Sequence, residues 1–495
     1  MHERGRENTR EPFVTTATVS EAQAPPGRGL GLWDAVSIII GIVIGAGIYE
    51  TAPLVFANVP SAGAAMAVWV AGGVLSLIGA ACYAELASTY PRSGGDYVYL
   101  TRAFGPLCGF LFGWAQLSVI LTGSIGMMAF VFADYAVALS NRAPSDASAP
   151  WAAGVVVVLT LLHVASVSLG TRAQNLLTWA KIVGVSTVVL VGVALSLAPG
   201  ETRLPASAAA AREGSLGLAM ILVLYTFGGW NDAAFVASEV RDRQRNLPRA
   251  LLWGTLAVTL VYLAMNVAFL GALGFEGAQK SKAIARDVFV KAFGAGGGVA
   301  ISLLVMVSAL GAVSALIFTG SRLHAALGRD YSMLSRLAAW HPRLRSPALS
   351  LLVQLTITLL MIVVVGTTSG RSVVDAALRS VGLTPATWTG HGGFDALLSC
   401  TAPVFWSFFL LTGLSLFRLR RLEPNRTRPF RVPLYPFTPL VFCATCAYML
   451  YASISYAGEL LLLGVLPLAC GLPIYFGSRR RELDAHPDLA VSSGK

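Results

Sequence analysis

The amino-acid sequence predicts an all-helical protein that crosses a membrane many times. Of its 495 residues, 55% are apolar and only 12% are charged, and the mean hydropathy is +0.67. A soluble domain carries roughly 25% charged residues. The apolar residues also fall into stretches of about 20, the length that an α-helix needs to span a bilayer. This pattern excludes a disordered chain, a secreted disulfide-rich scaffold and an ordinary soluble enzyme.

Twelve apolar stretches are long enough to be membrane-spanning helices, and most are separated by Pro, Gly or Arg. The third is long enough for a tilted helix. The external connection 369–393 is long for a loop between helices and forms either a short helix around Val373–Val381 or a lid. The twelve stretches are residues 33–56, 63–84, 105–138, 150–169, 173–198, 215–240, 249–274, 297–320, 347–368, 394–416, 436–456 and 459–476.

The distribution of basic residues predicts the orientation, because short loops rich in Lys and Arg stay in the cytoplasm. With the N-terminus inside, most of the 36 Lys and Arg residues lie in internal segments. An even number of spans then places both termini in the cytoplasm, and we expect a location in the cell (inner) membrane. The basic residues lie in short clusters rather than on one domain face, so nucleic-acid binding is discounted.

The first and sixth stretches each contain small residues where a membrane helix would be continuous. The first has Gly45-Ala46-Gly47 and the sixth has Gly228-Gly229, followed by Asn231 and Asp232. One such cluster is explained by close helix packing, which remains the alternative. Two clusters at equivalent places of a five-helix inverted repeat favour interrupted helices and a substrate site between them.

Interrupted helices predict the chemistry of that site. A half-helix that begins near Ala46 and Gly47 presents N–H groups and partial positive charge, which suit a carboxylate. Half-helices that end near Val43 and Tyr225 present carbonyl groups, which suit an ammonium. Together these ends describe a pocket for a zwitterion such as an α-amino acid.

Four motifs give the chain a resemblance to the amino acid–polyamine–organocation transporters, and within them to the L-type amino acid transporter group. The resemblance extends over about residues 31–478, and its specificity comes from the four motifs occurring together in this order. They are Gly45-Ala46-Gly47-Ile48-Tyr49; Tyr83-Ala84-Glu85-Leu86 with Pro91-Arg92-Ser93-Gly94-Gly95-Asp96-Tyr97; Phe227-Gly228-Gly229-Trp230-Asn231 with Glu239 and Asn246-Leu247-Pro248-Arg249-Ala250; and Ser321-Arg322 with Gly328-Arg329-Asp330.

The resemblance implies a LeuT-like fold of five helices, an inverted copy and two further helices, with helices one and six broken at the middle of the membrane. The corresponding division is a cytoplasmic tail 1–30, repeats 31–198 and 199–416, a basic cytoplasmic loop 417–435, the last two helices in 436–477, and a cytoplasmic tail 478–495.

The resemblance also implies a function and a set of site residues. It implies sodium-independent exchange or facilitated uptake of neutral L-amino acids by alternating access. The substrate carboxylate would meet the N–H groups of Ala46 and Gly47, and its ammonium the carbonyls of Val43, Tyr225 and Gly228. Tyr225 would be an aromatic gate, and Asn231 would hold helix six to the pocket. The remaining expected pocket residues are Ile44, Gly45, Thr226, Phe227 and, with less support, Ser124 and Phe405.

Lys181 is the one basic residue that the predicted topology places inside the membrane, about ten residues from the end of its span. An unpaired Lys there costs at least ~2.5–3.5 kcal/mol, so we expect partners such as carbonyls at the first helix break. The resemblance implies that this lysine takes the place of a sodium ion and bridges helices one and eight. A structural tie without a transport role is the alternative.

Glu50 departs from the L-type group, where this position is usually uncharged. It lies just beyond the first break, toward the outside. Three roles remain open: it titrates during transport, it attracts a cationic side chain, or it merely reaches the external vestibule. Proton symport and transport of cationic amino acids or polyamines are therefore the alternative functions, and a non-transporting amino acid sensor is the alternative of another class.

Other polar residues have structural interpretations. His163 is expected to be a hydrogen-bonded core histidine, and Glu85 and Asp96 are expected to form gate or loop ion pairs near Arg92 and Arg102. The six cysteines lie in or beside apolar stretches and are interpreted as core thiols without a zinc site. We expect no cofactor and no enzymatic activity. Segment 139–150 lacks the cysteine that would link an L-type transporter to a heavy chain, so no disulfide-linked partner is expected.

Overall fold

A computed structural model describes residues 31–45, 47–91, 94–140, 147–165, 167–197, 215–231, 240–281, 283–341, 344, 346–388 and 392–482. Within these ranges the regular elements are helices, as the sequence predicts. They are α1 (Leu32–Val43), α2 (Gly47–Ala57), α3 (Ala62–Thr89), α4 (Asp96–Phe104), α5 (Pro106–Ala115), α6 (Leu121–Leu139), α7 (Ser148–Ala165), α8 (Val167–Leu197), α9 (Leu216–Thr226), α10 (Arg243–Lys280), α11 (Ile284–Asp330), α12 (Ala348–Gly366), α13 (Thr368–Ser380), α14 (Gly393–Leu422), α15 (Phe437–Ala457), α16 (Leu461–Ala469) and α17 (Gly471–Glu482). A π-helical turn, Gln116–Ile120, joins α5 to α6.

Each of the twelve predicted segments contains helix. In the described part of the chain, nine helical segments are long and apolar enough to cross a membrane by length and composition. The first predicted segment instead holds two short helices, α1 and α2, and the sixth holds the short apolar helix α9. Residues 232–239 of the sixth segment, and both terminal tails, lie outside the described residues.

Two connections between predicted spans contain helix. Helix α10 continues past residue 274, the end of the seventh predicted span, and α11 begins at Ile284, before the eighth predicted span starts at residue 297. Gly274 and Gly294 have φ angles of 69° and 68°, which bend the chain at these two residues. Such angles suit glycine because it has no Cβ. The connection 369–393 contains α13, which agrees with the short helix predicted there as the alternative to a lid. The Asp375 carboxylate accepts hydrogen bonds from Ala386 N–H (3.1 Å) and Trp388 Nε1–H (3.0 Å). These bonds fold the residues after α13 back onto that helix.

Close helix contacts surround the two interruptions. A Cβ at Gly72 of α3 would lie 2.3 Å from Val223 of α9, and one at Gly73 would lie 2.3 Å from Thr259 of α10. Small residues let membrane helices approach in this way. The three helices therefore pack tightly where α9 ends.

The C-terminal ends of α3 and α14 are joined by an ion pair between Glu85 and Arg420. The Glu85 carboxylate accepts hydrogen bonds from Arg420 Nε (2.7 Å) and from Val432 N–H (2.7 Å), and Arg428 lies 3.6 Å away. Glu85 forms an ion pair as expected, but its partner is Arg420 and not Arg102, because α14 and the loop after it come alongside the end of α3. Arg92 lies outside the described residues.

Asp96 was also expected to form an ion pair near Arg102, but Arg102 pairs with Glu423 instead. The Asp96 carboxylate accepts hydrogen bonds from Thr412 Oγ1 (2.8 Å) and from Tyr83, while Arg102 pairs with Glu423 (3.0 Å). Partial burial alone would raise the pKa of Glu423, but a hydrogen bond from Arg426 and the charges of Arg426 and Arg102 keep that pKa below its ordinary value. This end of the structure is therefore held by a polar network.

The structure tests the interpretations of His163 and of the cysteines. His163 is 3% exposed, and its Nε2 lies 3.0 Å from Ser314 Oγ, as expected of a hydrogen-bonded core histidine. Five of the six cysteines are buried or partly buried free thiols, but Cys470 is exposed at the end of α16. The interpretation as a core thiol is wrong for Cys470, because its short stretch of helix lies at the periphery.

Candidate functional site

The candidate site begins with the ends of α1 and α2. Helix α1 ends at Val43, residues 44–45 form a bend, and α2 begins at Gly47. The first N–H groups of a helix have no partner within that helix, so the start of α2 presents donors and partial positive charge. Ala46, predicted to share in this contact, lies outside the described residues.

The second interruption follows α9. This helix ends at Thr226, and the Gly228 N–H donates to the Tyr225 carbonyl (2.8 Å) in a tight turn. Gly229 has a φ of 102°, a conformation that side-chain-bearing residues rarely adopt. A short 3-10 turn at Trp230 and Asn231 follows, and the Asn231 side chain is buried.

Tyr262 joins the two interruptions. Its hydroxyl lies 2.7 Å from the Val43 carbonyl and 3.0 Å from the Thr226 carbonyl, and its side chain is fully buried. The hydroxyl has one hydrogen, so the two carbonyls share it and keep acceptor capacity. Because α1 and α9 both end here, two partial negative helix ends converge on one point. An ammonium would be stabilised at such a point.

A second link joins α2 to α9. The Thr51 and Thr226 hydroxyl oxygens are 2.7 Å apart, and Thr51 also lies 2.9 Å from the Gly47 carbonyl. Both side chains are buried, and Thr226 donates to the Leu222 carbonyl. The start of α2 is thus fixed relative to the end of α9, which places donors and acceptors on the two sides of one small region.

Aromatic side chains enclose this region. Phe227 and Trp69 pack on the ring of Tyr262, with centroids 5.2 Å and 5.8 Å from it. Tyr225, the predicted gate, contacts Phe394 of α14 edge-to-face at 5.8 Å. The Tyr225–Phe394 contact joins α9 to the start of α14.

Lys181 contacts the first interruption from α8. Its side chain is 1% exposed, and its ammonium donates to the Gly41 carbonyl of α1 at 3.3 Å. A Cβ at Gly311 of α11 would lie only 2.7 Å from Lys181 Cε. The lysine therefore lies between α1 and α11.

The structure does not bring every predicted residue to this region. The Ser124 hydroxyl donates to the Ile120 carbonyl of its own helix at 2.8 Å. The α6 side chain that approaches the start of α2 is Met128, whose Cε would be 3.8 Å from a Cβ at Gly47. Phe405 lines a cleft beside the second interruption, together with Gly228, Leu75, Ser76, Leu224, Trp230, Trp406, Phe409, Phe442 and Thr445. That cleft contains none of the residues at the start of α2.

Sequence interpretation missed Tyr262, Thr51 and Met128. A signal existed for Tyr262, because a tyrosine hydroxyl in the middle of an apolar span needs a buried partner. The sequence does not identify that partner, since the Val43 and Thr226 carbonyls reach it only through the packing of three helices.

Replacing Tyr262 with Phe is expected to loosen both helix ends. Loss of a buried hydrogen-bond donor costs about 1–3 kcal/mol, so we expect a lower melting temperature in detergent and weaker amino acid protection against heat. The matched control is Tyr451→Phe on α15, where the side chain is 70% exposed. Equal melting curves and equal protection for both variants would contradict a bridging role for Tyr262.

Known proteins resemble this chain over most of its length. The family model described as amino acid permease matches residues 30–463. The b(0,+)-type amino acid transporter 1 of Rattus norvegicus is 30% identical over 481 residues, covering 96% of this chain and 91% of that protein. The Rattus norvegicus large neutral amino acids transporter small subunit 2 is 30% identical over 491 residues, covering 96% and 86%. The human cystine/glutamate transporter is 29% identical over 465 residues, covering 91% and 87%.

Proposed function

The chain belongs to the amino acid permease family, and from that premise we propose that it exchanges or facilitates the movement of neutral L-amino acids by alternating access without sodium. It is a multi-pass membrane transporter of amino acids and not an enzyme. The substrate class and the absence of sodium coupling are parts of the proposal.

One observation carries the proposal: two helix C-termini and one helix N-terminus meet around Tyr262. The Val43 and Thr226 carbonyls lie within 3.0 Å of its hydroxyl, and α2 begins nearby at Gly47. An α-amino acid carries its carboxylate and its ammonium on the same carbon atom, so it fits paired sites of opposite partial charge. Recognition by backbone leaves the side chain unspecified, which suits several neutral substrates.

The proposed architecture is the LeuT-like one. The arrangement has twelve membrane helices: five in each inverted repeat and two more. Two of them are broken at the middle of the membrane. The first consists of α1 and α2, and the second consists of α9 and the residues after it. Both termini lie in the cytoplasm, and the location is the cell membrane. The two helix interruptions and the distribution of basic residues support this arrangement.

Lys181 supports the absence of sodium coupling. Its side-chain nitrogen donates to the Gly41 carbonyl, and its side chain lies beside Gly311. A cation at this place would be repelled by the protonated lysine, at close range and in a medium of low dielectric constant. We therefore propose that Lys181 holds α1 against α11 where a coupling ion would otherwise bind.

The chain is also proposed to act without a disulfide-linked partner. One relative is named as a small subunit, so association of this chain with another protein is a reasonable alternative. The segment 139–150 contains no cysteine that could form such a link. Electrophoresis of the membrane-extracted protein with and without reductant would reveal a linked partner as a change in mobility.

The function is tested by uptake of labelled Leu and Ala into sodium-free proteoliposomes. We expect vesicles preloaded with unlabelled amino acid to take up more label than empty vesicles do, because a loaded carrier returns faster in an exchanger. Vesicles without protein are the control.

Three other outcomes point away from the proposal. Uptake into empty vesicles that requires an inward pH gradient would indicate proton symport. Uptake that requires sodium would contradict the role given to Lys181. Binding of amino acid without any uptake would indicate a sensor.

A further inference from the structure

The loop between α14 and α15 carries an exposed apolar corner, formed by Leu434 and Phe437. Both neighbouring segments, Gly393–Leu422 and Phe437–Ser478, are long and apolar enough to cross a membrane, so the loop lies where two spans leave the bilayer. Leu434 is 78% exposed and Phe437 is 71% exposed. An apolar side chain at that level is stabilised by the boundary between lipid headgroups and acyl chains.

The apolar corner is fixed to the end of α14. The Tyr435 ring packs on Phe417 with centroids 5.6 Å apart, and the guanidinium carbon of Arg420 lies 3.8 Å from the centre of the Tyr435 ring. A tight turn closes the corner, because the Phe437 N–H donates to the Leu434 carbonyl at 2.8 Å. Leu434 and Phe437 are therefore exposed on a backbone that its neighbours hold in place.

Leu434 has a backbone conformation that leucine rarely adopts. Its φ is 54°, in the left-handed region that glycine or asparagine occupies with less strain. Backbone strain that is kept in a folded chain points to a contact made at that place. Water offers the exposed leucine side chain no stabilising contact, so the conformation favours an apolar partner.

Three exposed arginines flank the apolar corner: Arg418 and Arg421 near the end of α14, and Arg431 in the loop. Arg421 follows Phe417 by four residues and Arg418 by three, so it shares a face of α14 with both. Since the Phe417 ring contacts Tyr435, this face of α14 adjoins the corner. A basic surface and an apolar surface therefore meet at the level where the chain leaves the bilayer.

The acidic side chains at this end of α14 are already paired. Glu85 pairs with Arg420, and Glu423 pairs with Arg426 at 2.7 Å. In the part of the chain that the structure describes, no ion pair within 4 Å involves any of the three exposed arginines. Their positive charge is therefore available to an anion.

We propose that this surface binds an anionic phospholipid, with the phosphate among Arg418, Arg421 and Arg431 and the acyl chains against Leu434 and Phe437. Guanidinium groups match the oxygens of a phosphate in geometry and charge. The proposed orientation puts this loop in the cytoplasm, and the cytoplasmic leaflet carries the negative surface potential. The inference goes beyond the proposed function, because it assigns a partner in the bilayer and not a substrate.

The test follows the melting temperature of the purified protein in detergent as lipid is added. Phosphatidylglycerol is compared with phosphatidylcholine of the same acyl chains, and sn-glycerol 3-phosphate supplies the phosphate without acyl chains. The variants are Arg421→Gln, Arg431→Gln and Phe437→Ala. The matched control is Arg379→Gln, which removes an exposed arginine at the end of α13. The melting temperature without lipid is recorded for each variant, so that a loss of fold is distinguished from a loss of lipid binding.

We expect phosphatidylglycerol to stabilise the wild-type protein at lower concentration than phosphatidylcholine does. The half-saturating concentration of phosphatidylglycerol should rise about fivefold in Arg421→Gln and in Arg431→Gln, the loss expected for one basic residue at an anionic surface. That of phosphatidylcholine should not change in these two variants. Phe437→Ala should weaken binding of both lipids, and Arg379→Gln should behave as the wild type.

Four results would overturn the lipid site, and none of them bears on leucine uptake. The first is equal stabilisation of the wild type by the two phospholipids. The second is unchanged phosphatidylglycerol binding in both arginine variants, or unchanged lipid binding in Phe437→Ala. The third is equal stabilisation by glycerol phosphate at the same concentration, which would indicate a site for a soluble anion. The fourth is a dimer that Phe437→Ala dissociates, which would assign the surface to a second copy of the chain.

Discussion

The substitution Gly47→Leu is expected to abolish amino acid binding. Gly47 is the first residue of α2, and its backbone is proposed to meet the substrate carboxylate. A Cβ there would meet Met128 Cε at 3.8 Å, which is ordinary contact. The three further carbons of a leucine side chain would occupy the space between α2 and α6 that the substrate requires. Equilibrium binding of labelled leucine to the purified variant is the measurement.

The variant Gly47→Ala distinguishes a blocked binding site from a misfolded protein. The added methyl group fits without displacing Met128, so we expect a folded protein that retains measurable binding. The Leu variant should keep the elution volume and helix content of the wild type while losing binding. Normal affinity in Gly47→Leu would place the carboxylate elsewhere and remove Gly47 from the site.

Replacing Lys181 with Met is expected to reduce the transport rate by at least about tenfold. The ammonium donates to the Gly41 carbonyl at 3.3 Å, and methionine fills similar volume without a charge or donor. Loss of a hydrogen bond from a charged group costs about 1.5–3 kcal/mol, and one factor of ten corresponds to 1.4 kcal/mol. Because α1 would be released from α11, the effect should differ between uptake and efflux. Initial rates in both directions are the measurement.

Gly311→Ala tests the same contact without touching the charge. A Cβ at this position would lie 2.7 Å from Lys181 Cε and 3.0 Å from Leu177 Cβ, so the lysine must move. We expect a loss similar to that of Lys181→Met. Gly154→Ala on α7 is the control, because nothing lies within 4 Å of its added carbon. Unchanged rates from both sides in Lys181→Met would reduce Lys181 to a packing role.

Hydropathy predicted the helices well because a membrane helix is set by a local property of about 20 residues. It did not predict the helical residues between the seventh and eighth spans, where α10 continues to Lys280 and α11 begins at Ile284. Hydropathy detects apolar spans, and it does not distinguish a polar helix from a polar loop.

The sequence predicted those parts of the candidate site that consist of backbone N–H and carbonyl groups. Glycines at 45, 47, 228 and 229 mark the places where α1, α2 and α9 begin or end. Tyr262 was missed, because its two carbonyl partners belong to helices more than 30 residues away in sequence. The Glu85–Arg420 pair was missed for the same reason, since it joins residues 335 positions apart.

Phe405 shows that the sequence does not predict which face of a helix lines a cavity. Its place on the tenth predicted span suggested a pocket residue, and the structure places it on a cleft with Gly228, Trp230 and Phe409. Its ring packs on Phe409 with centroids 4.1 Å apart. Which face of a helix meets a cavity depends on the rotation of that helix, which an apolar sequence with weak periodicity does not specify.

The central claim is that an amino acid binds where α1 and α9 end and α2 begins. A cryo-electron microscopy map of the protein in lipid nanodiscs with saturating leucine tests it most directly. We predict density for the carboxylate at the start of α2, beside Gly47, and for the ammonium at the carbonyl ends near Val43 and Thr226. Leucine density in the cleft of Gly228, Phe405 and Trp230, with none at Gly47, would contradict the account.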